Sequence, residues 1–114
     1  VAKVPVIIKI TPNYGYAEHL AQAALDGGAR AVTLTNTMPG LIDPYPSGEP
    51  ILGVCKKDKL WAPGGTTGSI LRPFALRKCA DVAQHVPGIE IFGSGGIISG
   101  DHAMSYLNYG AKAL

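Results

Sequence analysis

Short apolar runs alternate with segments of helical periodicity along the whole chain, and this order limits the fold more than any other feature. Apolar and β-branched residues predict strands over 4–11, 31–35 and 89–92, with a fourth beginning at Ala113. Apolar residues three and four positions apart predict helices over 16–26, 72–86 and 101–109. Each strand–helix–strand step is expected to cross over right-handed, which gives a parallel α/β sheet.

This order fits two architectures, an open doubly wound sheet or part of a (β/α)8 barrel. A complete barrel takes about 250 residues, so the 114 residues of this chain supply about half of one. Polar residues at the carboxyl ends of the strands favour the barrel, because barrel sites collect at that rim. These residues are Lys9, Thr11, Asn36, Thr37 and Ser94. The first residue, Val1, is not methionine and a strand begins just before Leu114, which indicates a fragment.

Residues 38–70 interrupt this order with a long stretch rich in proline and glycine. Such a stretch predicts an irregular loop of the kind that forms active-site lids or linkers. Lys56, Lys57 and Lys59 lie within it without interleaved aromatic residues, so they predict a solvated loop and not a nucleic-acid surface. Cys55 in the same loop is interpreted as incidental.

The composition predicts one domain with a hydrophobic core and excludes several classes of site. The chain is 46% hydrophobic with a formal net charge of +2. It has no signal peptide and no apolar run long enough to cross a membrane, so a cytoplasmic location is expected. Its two cysteines do not form a disulfide framework or a zinc site, and Cys79 on a helical face is predicted to be a core thiol. The three histidines lack metal-ligand spacing.

Two glycine-rich segments each precede a predicted helix. Residues 93–96 (Gly-Ser-Gly-Gly) follow a buried strand, where backbone N–H groups can approach and bind a phosphate closely. A tight turn also needs glycine, so this cluster alone leaves both interpretations open. Residues 64–68 (Gly-Gly-Thr-Thr-Gly) precede the helix that opens with Arg72-Pro73. Two such loops on consecutive units are able to converge on one phosphate, as in barrels near their last strands.

Lys9 is a charged residue in an otherwise apolar strand. Alternation puts it on one face with Ile7 and Thr11. A buried lysine is costly unless it is paired. Lys9 therefore either points at a ligand in the mouth of the barrel or pairs with a carboxylate from a neighbouring strand.

Asn36 and Thr37 end the second strand with two hydrogen-bonding side chains. An amide donates and accepts at once, which suits a flat ring with alternating N–H and C=O groups. Ordinary turn chemistry explains the same residues equally well. If strand alternation continues to residue 36, Asn36 faces the same way as Val32 and Leu34, whose side chains are expected to pack against the outer helices. It faces inward only if the strand bends or ends before it.

Taken together, these segments resemble the flavin domain of the dihydropyrimidine dehydrogenase family, in the same order and over essentially the whole chain. The matching segments are 9–13 (Lys-Ile-Thr-Pro-Asn), 35–37 (Thr-Asn-Thr), 64–68 with Arg72-Pro73 and Ala75-Leu76, and 94–97 (Ser-Gly-Gly-Ile). The chain is also similar to the class 1 dihydroorotate dehydrogenases, which share the barrel and FMN.

The resemblance implies that residues 1–114 form the C-terminal half, about the last four strands, of an FMN-binding (β/α)8 barrel. It implies that Lys9 contacts the flavin, and that Asn36 and Thr37 bind the pyrimidine. It also implies a phosphate site made by Gly68, Ser94, Gly95 and Gly96. The general-acid cysteine of the family would lie upstream of Val1, so no catalytic residue is assigned here.

The function implied by the resemblance is reduction of the 5,6 double bond of uracil and thymine in pyrimidine catabolism. NADPH would be the ultimate donor, and FAD and iron–sulfur clusters would lie elsewhere in the parent protein. The partners expected are a small pyrimidine, the remainder of the barrel and further copies in a homo-oligomer. Two alternatives are a dihydroorotate dehydrogenase of pyrimidine biosynthesis and a phosphate-binding barrel fragment without a redox role.

Overall fold

Five strands and three helices make up the part of the chain that the structure describes. The computed structural model describes residues 3–48, 51 and 63–114. The strands are β1 (Ile7–Ile10), β2 (Ala31–Leu34), β3 (Met38–Gly40), β4 (Gly64–Thr66) and β5 (Glu90–Gly93). The helices are α1 (Ala17–Asp26), α2 (Arg72–His85) and α3 (Gly100–Asn108).

The main sheet is parallel, and its spatial order follows the order of the chain. Strand β2 pairs with β1 on one side and with β5 on the other. Beyond β5, Ala113 forms a parallel bridge with Phe92, and the N–H of Gly93 donates to the Ala113 carbonyl at 2.8 Å. Each new strand is therefore added at the same edge, as in a (β/α)8 barrel, whereas a doubly wound sheet reverses at a switch point.

The helices pack on one face of this sheet. Apolar residues of all three parallel strands share the core with residues of all three helices. The strands contribute Ile10, Val32, Leu34 and Ile91, and the helices contribute Ala17, Ala21, Ala24, Ala75, Cys79, Val82 and Tyr106. Strands in chain order with helices on a single face form a segment of barrel wall, so the barrel prediction is confirmed over the open sheet.

The other face of the main sheet is largely uncovered by the described residues. The register puts Lys9 beside Thr33, and Thr33 beside Phe92, in one row across the sheet. Ile7 and Lys9 are exposed, while Thr33 and Phe92 are partly buried. The predicted alternation is confirmed, because Ile10 and its neighbours pack on the helices while Lys9 lies on the opposite face.

The predicted helices are confirmed to within one residue at each end, but the strands differ more. Strand β1 is shorter than the predicted 4–11, because β2 pairs only with Ile7–Ile10. Strand β2 ends at Leu34 instead of Thr35, and β5 lies one residue later than predicted. The neighbouring strand sets each of these limits, and the composition of a single strand does not reveal it.

The prediction of an irregular loop over residues 38–70 is wrong at both ends of that stretch. Strands β3 and β4 pair antiparallel there, with Met38 opposite Thr66 and Gly40 opposite Gly64. Glycine and proline are poor strand formers, so the composition gave no sign of this pair. Cys55, Lys56, Lys57 and Lys59 lie outside the described residues.

Cys79 is a core thiol, as predicted. It is fully buried and free, and burial raises its pKa to about 12. In residues 3–48, 51 and 63–114, no group of three or more His, Cys, Asp or Glu side chains is placed to hold a metal ion. Within those same residues, no helix is both long and apolar enough to cross a membrane.

Candidate functional site

The two glycine-rich loops meet at the carboxyl end of the main sheet. A Cβ placed on Gly96 would lie 2.5 Å from the carbonyl oxygen of Gly68 and 2.9 Å from the Cβ of Arg72. Gly96 also has a φ of +68°, which side-chain-bearing residues rarely adopt. Residue 96 must therefore be glycine for the loops to approach this closely. The two loops therefore meet, and their convergence on a phosphate stays a prediction.

Helix α3 fixes the orientation of a peptide group in the second loop. The hydroxyl of Tyr106 donates to the carbonyl oxygen of Gly95 at 2.6 Å. In a trans peptide the N–H points away from the carbonyl, so the Gly96 N–H is directed away from Tyr106. Burial raises the pKa of Tyr106 to about 12, with a further contribution from Cys79, so the hydroxyl remains a donor at neutral pH.

Several amides of this loop are available to an anion. Within the described residues, the N–H groups of Gly95, Gly96 and Ile97 donate to no backbone or side-chain acceptor. The Ser94 N–H is already used, since it donates to the Leu34 carbonyl at 2.6 Å. Consecutive free N–H groups between a strand and a helix form a concave site that favours negative charge. We call this site, made by Gly68 and residues 94–97, the glycine cradle.

The end of β2 is fastened directly to the glycine cradle. The N–H of Thr35 donates to the Ser94 carbonyl at 2.9 Å, and the N–H of Asn36 donates to the Ile10 carbonyl at 2.9 Å. Thr35 is 2% exposed, and its hydroxyl has no partner among the described residues. These bonds hold the carboxyl ends of β1, β2 and β5 side by side, so residues that follow the three strands are close neighbours.

Lys9 lies one residue before the end of β1, on the face opposite the helices. Its side chain is exposed, which corrects the view of Lys9 as a buried charge. No described carboxylate pairs with it, since the only ion pairs in residues 3–48, 51 and 63–114 join Arg30 to Glu90 and Arg77 to Asp81. The structure thus places an ammonium group near the carboxyl rim, on the open face of the sheet.

Asn36 and Thr37 follow β2 and are exposed. Because β2 ends at Leu34, strand alternation no longer governs Asn36, and the condition for an inward position is met. The Oδ1 of Asn36 accepts a hydrogen bond from the N–H of Thr37 at 2.9 Å, as in a turn. A Cβ on Gly65 would overlap the Oγ1 of Thr37, so β4 packs closely against this side chain.

Sequence reasoning missed a lysine that ties the loop after β1 to a helix. Lys78 on α2 is 8% exposed, and its Nζ donates to the Tyr14 carbonyl at 2.6 Å. Burial lowers the pKa of Lys78, while Asp81 and Glu18 oppose that shift. Tyr14 belongs to the loop that follows β1, so Lys78 ties this loop to α2. The contact spans 64 residues of sequence, and no local pattern signals it.

Tyr106 and Arg72 were also missed as parts of the site. The helical pattern predicted Tyr106 only as one residue of a helix, because a phenol that packs in the core and one that bonds a loop carbonyl look the same in sequence. Arg72 precedes Pro73, and in sequence this pair indicates only the start of a helix. The one available signal was the glycine-rich loop, whose residues Gly95 and Gly96 lie beside Tyr106 and Arg72 in the fold.

Known proteins match the chain over its whole length. The family model described as dihydroorotate dehydrogenase matches residues 1–114. The catalytic subunit of dihydroorotate dehydrogenase B (NAD(+)) from Methanopyrus kandleri is 40% identical over 114 residues, covering 96% of this chain and 34% of that protein. The same subunit from Alkaliphilus oremlandii is 37% identical over 114 residues, covering 100% of this chain and 35% of that protein.

A third relative, the corresponding subunit from Thermodesulfovibrio yellowstonii, is 35% identical over 112 residues, covering 98% of this chain and 34% of that protein. The chain thus spans about a third of the length of the curated relatives it matches. The resemblance noted in the sequence is confirmed at the level of the superfamily, although these relatives carry the name of the alternative enzyme. The chain belongs to the dihydroorotate dehydrogenase family.

Proposed function

We propose that the protein is an FMN-dependent oxidoreductase that interconverts dihydroorotate and orotate. One observation carries the proposal: the two glycine loops meet at Gly68 and Gly96 on the same rim that bears Lys9, in a chain of this family. The names of the curated relatives favour dihydroorotate as the substrate.

The glycine cradle fits the phosphate of FMN. Its free amides supply donors, and the absence of side chains at residues 95 and 96 leaves the backbone accessible. Gly68, Ser94, Gly95 and Gly96 would hold the phosphate. FMN, when bound, supplies the two-electron chemistry that moves hydride to or from the pyrimidine.

Lys9 would lie along the flavin ring system. Its position on the open face at the rim allows the ammonium to approach a ring that extends from the cradle across the strand ends. A positive charge there stabilises electron density that accumulates on the ring during reduction. The same residue would disfavour binding of a second cation.

Asn36 and Thr37 would bind the pyrimidine. The Oδ1 of Asn36 already accepts from the backbone, so its NH2 group remains to donate to a ring carbonyl. The Thr37 hydroxyl can donate or accept, which suits the alternating groups of a pyrimidine edge. We expect proton transfer at the pyrimidine to be carried out by a cysteine outside residues 1–114.

A second candidate is reduction of uracil and thymine at the 5,6 double bond. The segments 9–13 and 35–37 favour it, since they resemble the pyrimidine-reducing enzymes more closely. This candidate requires NADPH, FAD and iron–sulfur clusters elsewhere in the intact protein.

The two candidates are separated by anaerobic flavin reduction in the intact protein. Dihydroorotate is expected to bleach the visible flavin absorbance within the mixing time, and orotate to restore it. If dihydroorotate leaves the flavin oxidised, while NADPH reduces it and uracil then reoxidises it, the second candidate is correct. Purification of the intact protein without flavin, and without flavin binding on titration, would contradict both.

A further inference from the structure

Arg72 lies where the two glycine loops meet. It is the first residue of α2, and its Cβ would be 2.9 Å from a Cβ placed on Gly96. The side chain is partly buried. Within residues 3–48, 51 and 63–114, Arg72 has no ion-pair partner, in contrast to Arg30 and Arg77, which bind carboxylates. A partly buried arginine without an ion pair to a described residue thus opens α2 beside a site that favours anions.

The positive charge of Arg72 also bears on the pKa of Tyr106. It lowers the pKa of Tyr106, against the larger upward effect of burial. The hydroxyl of Tyr106 lies 2.6 Å from the Gly95 carbonyl oxygen. This effect agrees with the position of the Arg72 Cβ beside Gly96.

We propose that Arg72 binds the phosphate of FMN and makes the cradle selective for the phosphorylated flavin over riboflavin. A phosphate monoester carries close to two negative charges at neutral pH. Backbone amides offer only partial charges, whereas a guanidinium offers a full charge and paired donors that match phosphate oxygens. The inference rests on the proposed function, because it assumes that the cradle holds FMN.

The test compares the binding of FMN and riboflavin to the intact protein after removal of its flavin. Flavin fluorescence quenching gives the Kd of each ligand for the wild type and for Arg72→Gln, Arg72→Lys and Arg77→Gln. Arg77 is the matched control, because it lies five residues later on α2, is exposed and pairs with Asp81. Riboflavin binding reports whether each variant retains its flavin pocket.

The expected result is that Arg72→Gln raises the Kd for FMN by about ten- to a hundredfold, as for the loss of a charged hydrogen bond. Its Kd for riboflavin is expected to stay within about twofold of the wild type. Arg72→Lys should recover part of the FMN affinity, and Arg77→Gln should leave both Kd values unchanged.

Three outcomes would overturn the inference. If the Kd for FMN of Arg72→Gln equals that of the wild type, the side chain does not contact the phosphate. An equal loss of FMN and riboflavin shows that Arg72 supports the pocket and not the phosphate. A wild type that binds neither flavin overturns the proposed function, and this inference falls with it; the first two outcomes leave the proposed function standing.

Discussion

The hydroxyl of Tyr106 donates a hydrogen bond to the carbonyl oxygen of Gly95, eleven residues earlier. The Tyr106 ring also fills the space beside Gly93, where a Cβ would lie 2.5 Å from the ring Cδ1. Helix α3 thus contacts both ends of the glycine loop that it follows. The orientation of the loop amides depends on the packing of this helix and not on the loop sequence alone.

Substitution of Tyr106 by phenylalanine should weaken this arrangement without removing the ring. The Gly95 carbonyl would lose its partner in a buried setting, which lowers the free energy of unfolding by about 1–2 kcal/mol. The Kd for FMN should rise, because the Gly96 N–H is no longer held in place. Tyr109→Phe, which alters an exposed ring on the same helix end, is the control. Unchanged stability in Tyr106→Phe by urea unfolding would refute the role of the hydroxyl.

Gly96→Ala should prevent the two loops from meeting. The added methyl group would collide with the Gly68 carbonyl oxygen, and φ at this residue is positive. We expect a loss of at least about 2 kcal/mol in unfolding free energy and loss of FMN binding. Gly100→Ala is the matched control, since a Cβ there meets no atom within 4 Å. Equal flavin content in the two variants would show that the close approach is not needed.

Stability should fall in alkaline solution because Cys79 is buried as a thiol. Its pKa is raised from 9.0 to about 12 in the folded state. Below about pH 9 the thiol is neutral in both the folded and the unfolded state, and above that pH only the unfolded state loses the proton. The unfolding free energy should drop by up to about 1.4 kcal/mol per pH unit between these values.

Urea unfolding of the wild type and of Cys79→Ala from about pH 8 to about pH 10.5 checks this expectation. The decline should begin near pH 9 in the wild type. In Cys79→Ala it should begin later, when Tyr106 ionises in the unfolded state but not in the folded state, where its pKa is raised from 10.0 to about 12. Parallel curves for the two proteins would contradict the assignment to Cys79.

Removal of the Lys78 ammonium should loosen the loop after β1. Lys78→Met keeps the length of the side chain but leaves the Tyr14 carbonyl without its donor. Hydrogen exchange at the amides of residues 13–16 should become about tenfold faster, the equivalent of one charged hydrogen bond. Lys112→Met, on an exposed residue, should leave it unchanged. Equal exchange in both variants would mean that the loop is held by other contacts.

Lys9→Gln should affect flavin chemistry and leave the fold intact. The side chain is exposed and forms no ion pair with a described residue, so its loss removes little packing. The flavin reduction potential should become more negative, because a positive charge near the reduced ring is lost. Dye-equilibration titration measures this shift, and Lys3→Gln serves as the control. A potential equal to that of the wild type would place Lys9 away from the flavin.

The sequence was sufficient for the periodic features and for the glycine-rich loops. Alternation correctly put Lys9 opposite the helices, and the two glycine-rich loops that the sequence singles out do meet. The extent of the strands was not predictable, since the partner strand ends the ladder at Leu34. That single difference in strand length decides whether Asn36 follows the alternation of Leu34.

The long-range contacts could not be predicted for a different reason. The Nζ of Lys78 reaches a carbonyl 64 residues away, and a lysine on a helix usually points to solvent. Tyr106 and Arg72 acquire their roles only after the loops have been placed beside them. Such roles arise from tertiary packing, and local propensity carries no information about them.

The antiparallel pair of β3 and β4 has a consequence for how this family can diversify. The pairing of Gly40 with Gly64 closes a loop, residues 41–63, whose two ends are held together by the β3–β4 pair. Doubling the length of such a loop costs only about 0.6 kcal/mol in closure entropy. Residues between the two strands can therefore be exchanged or extended while Thr37 and the cradle keep their positions.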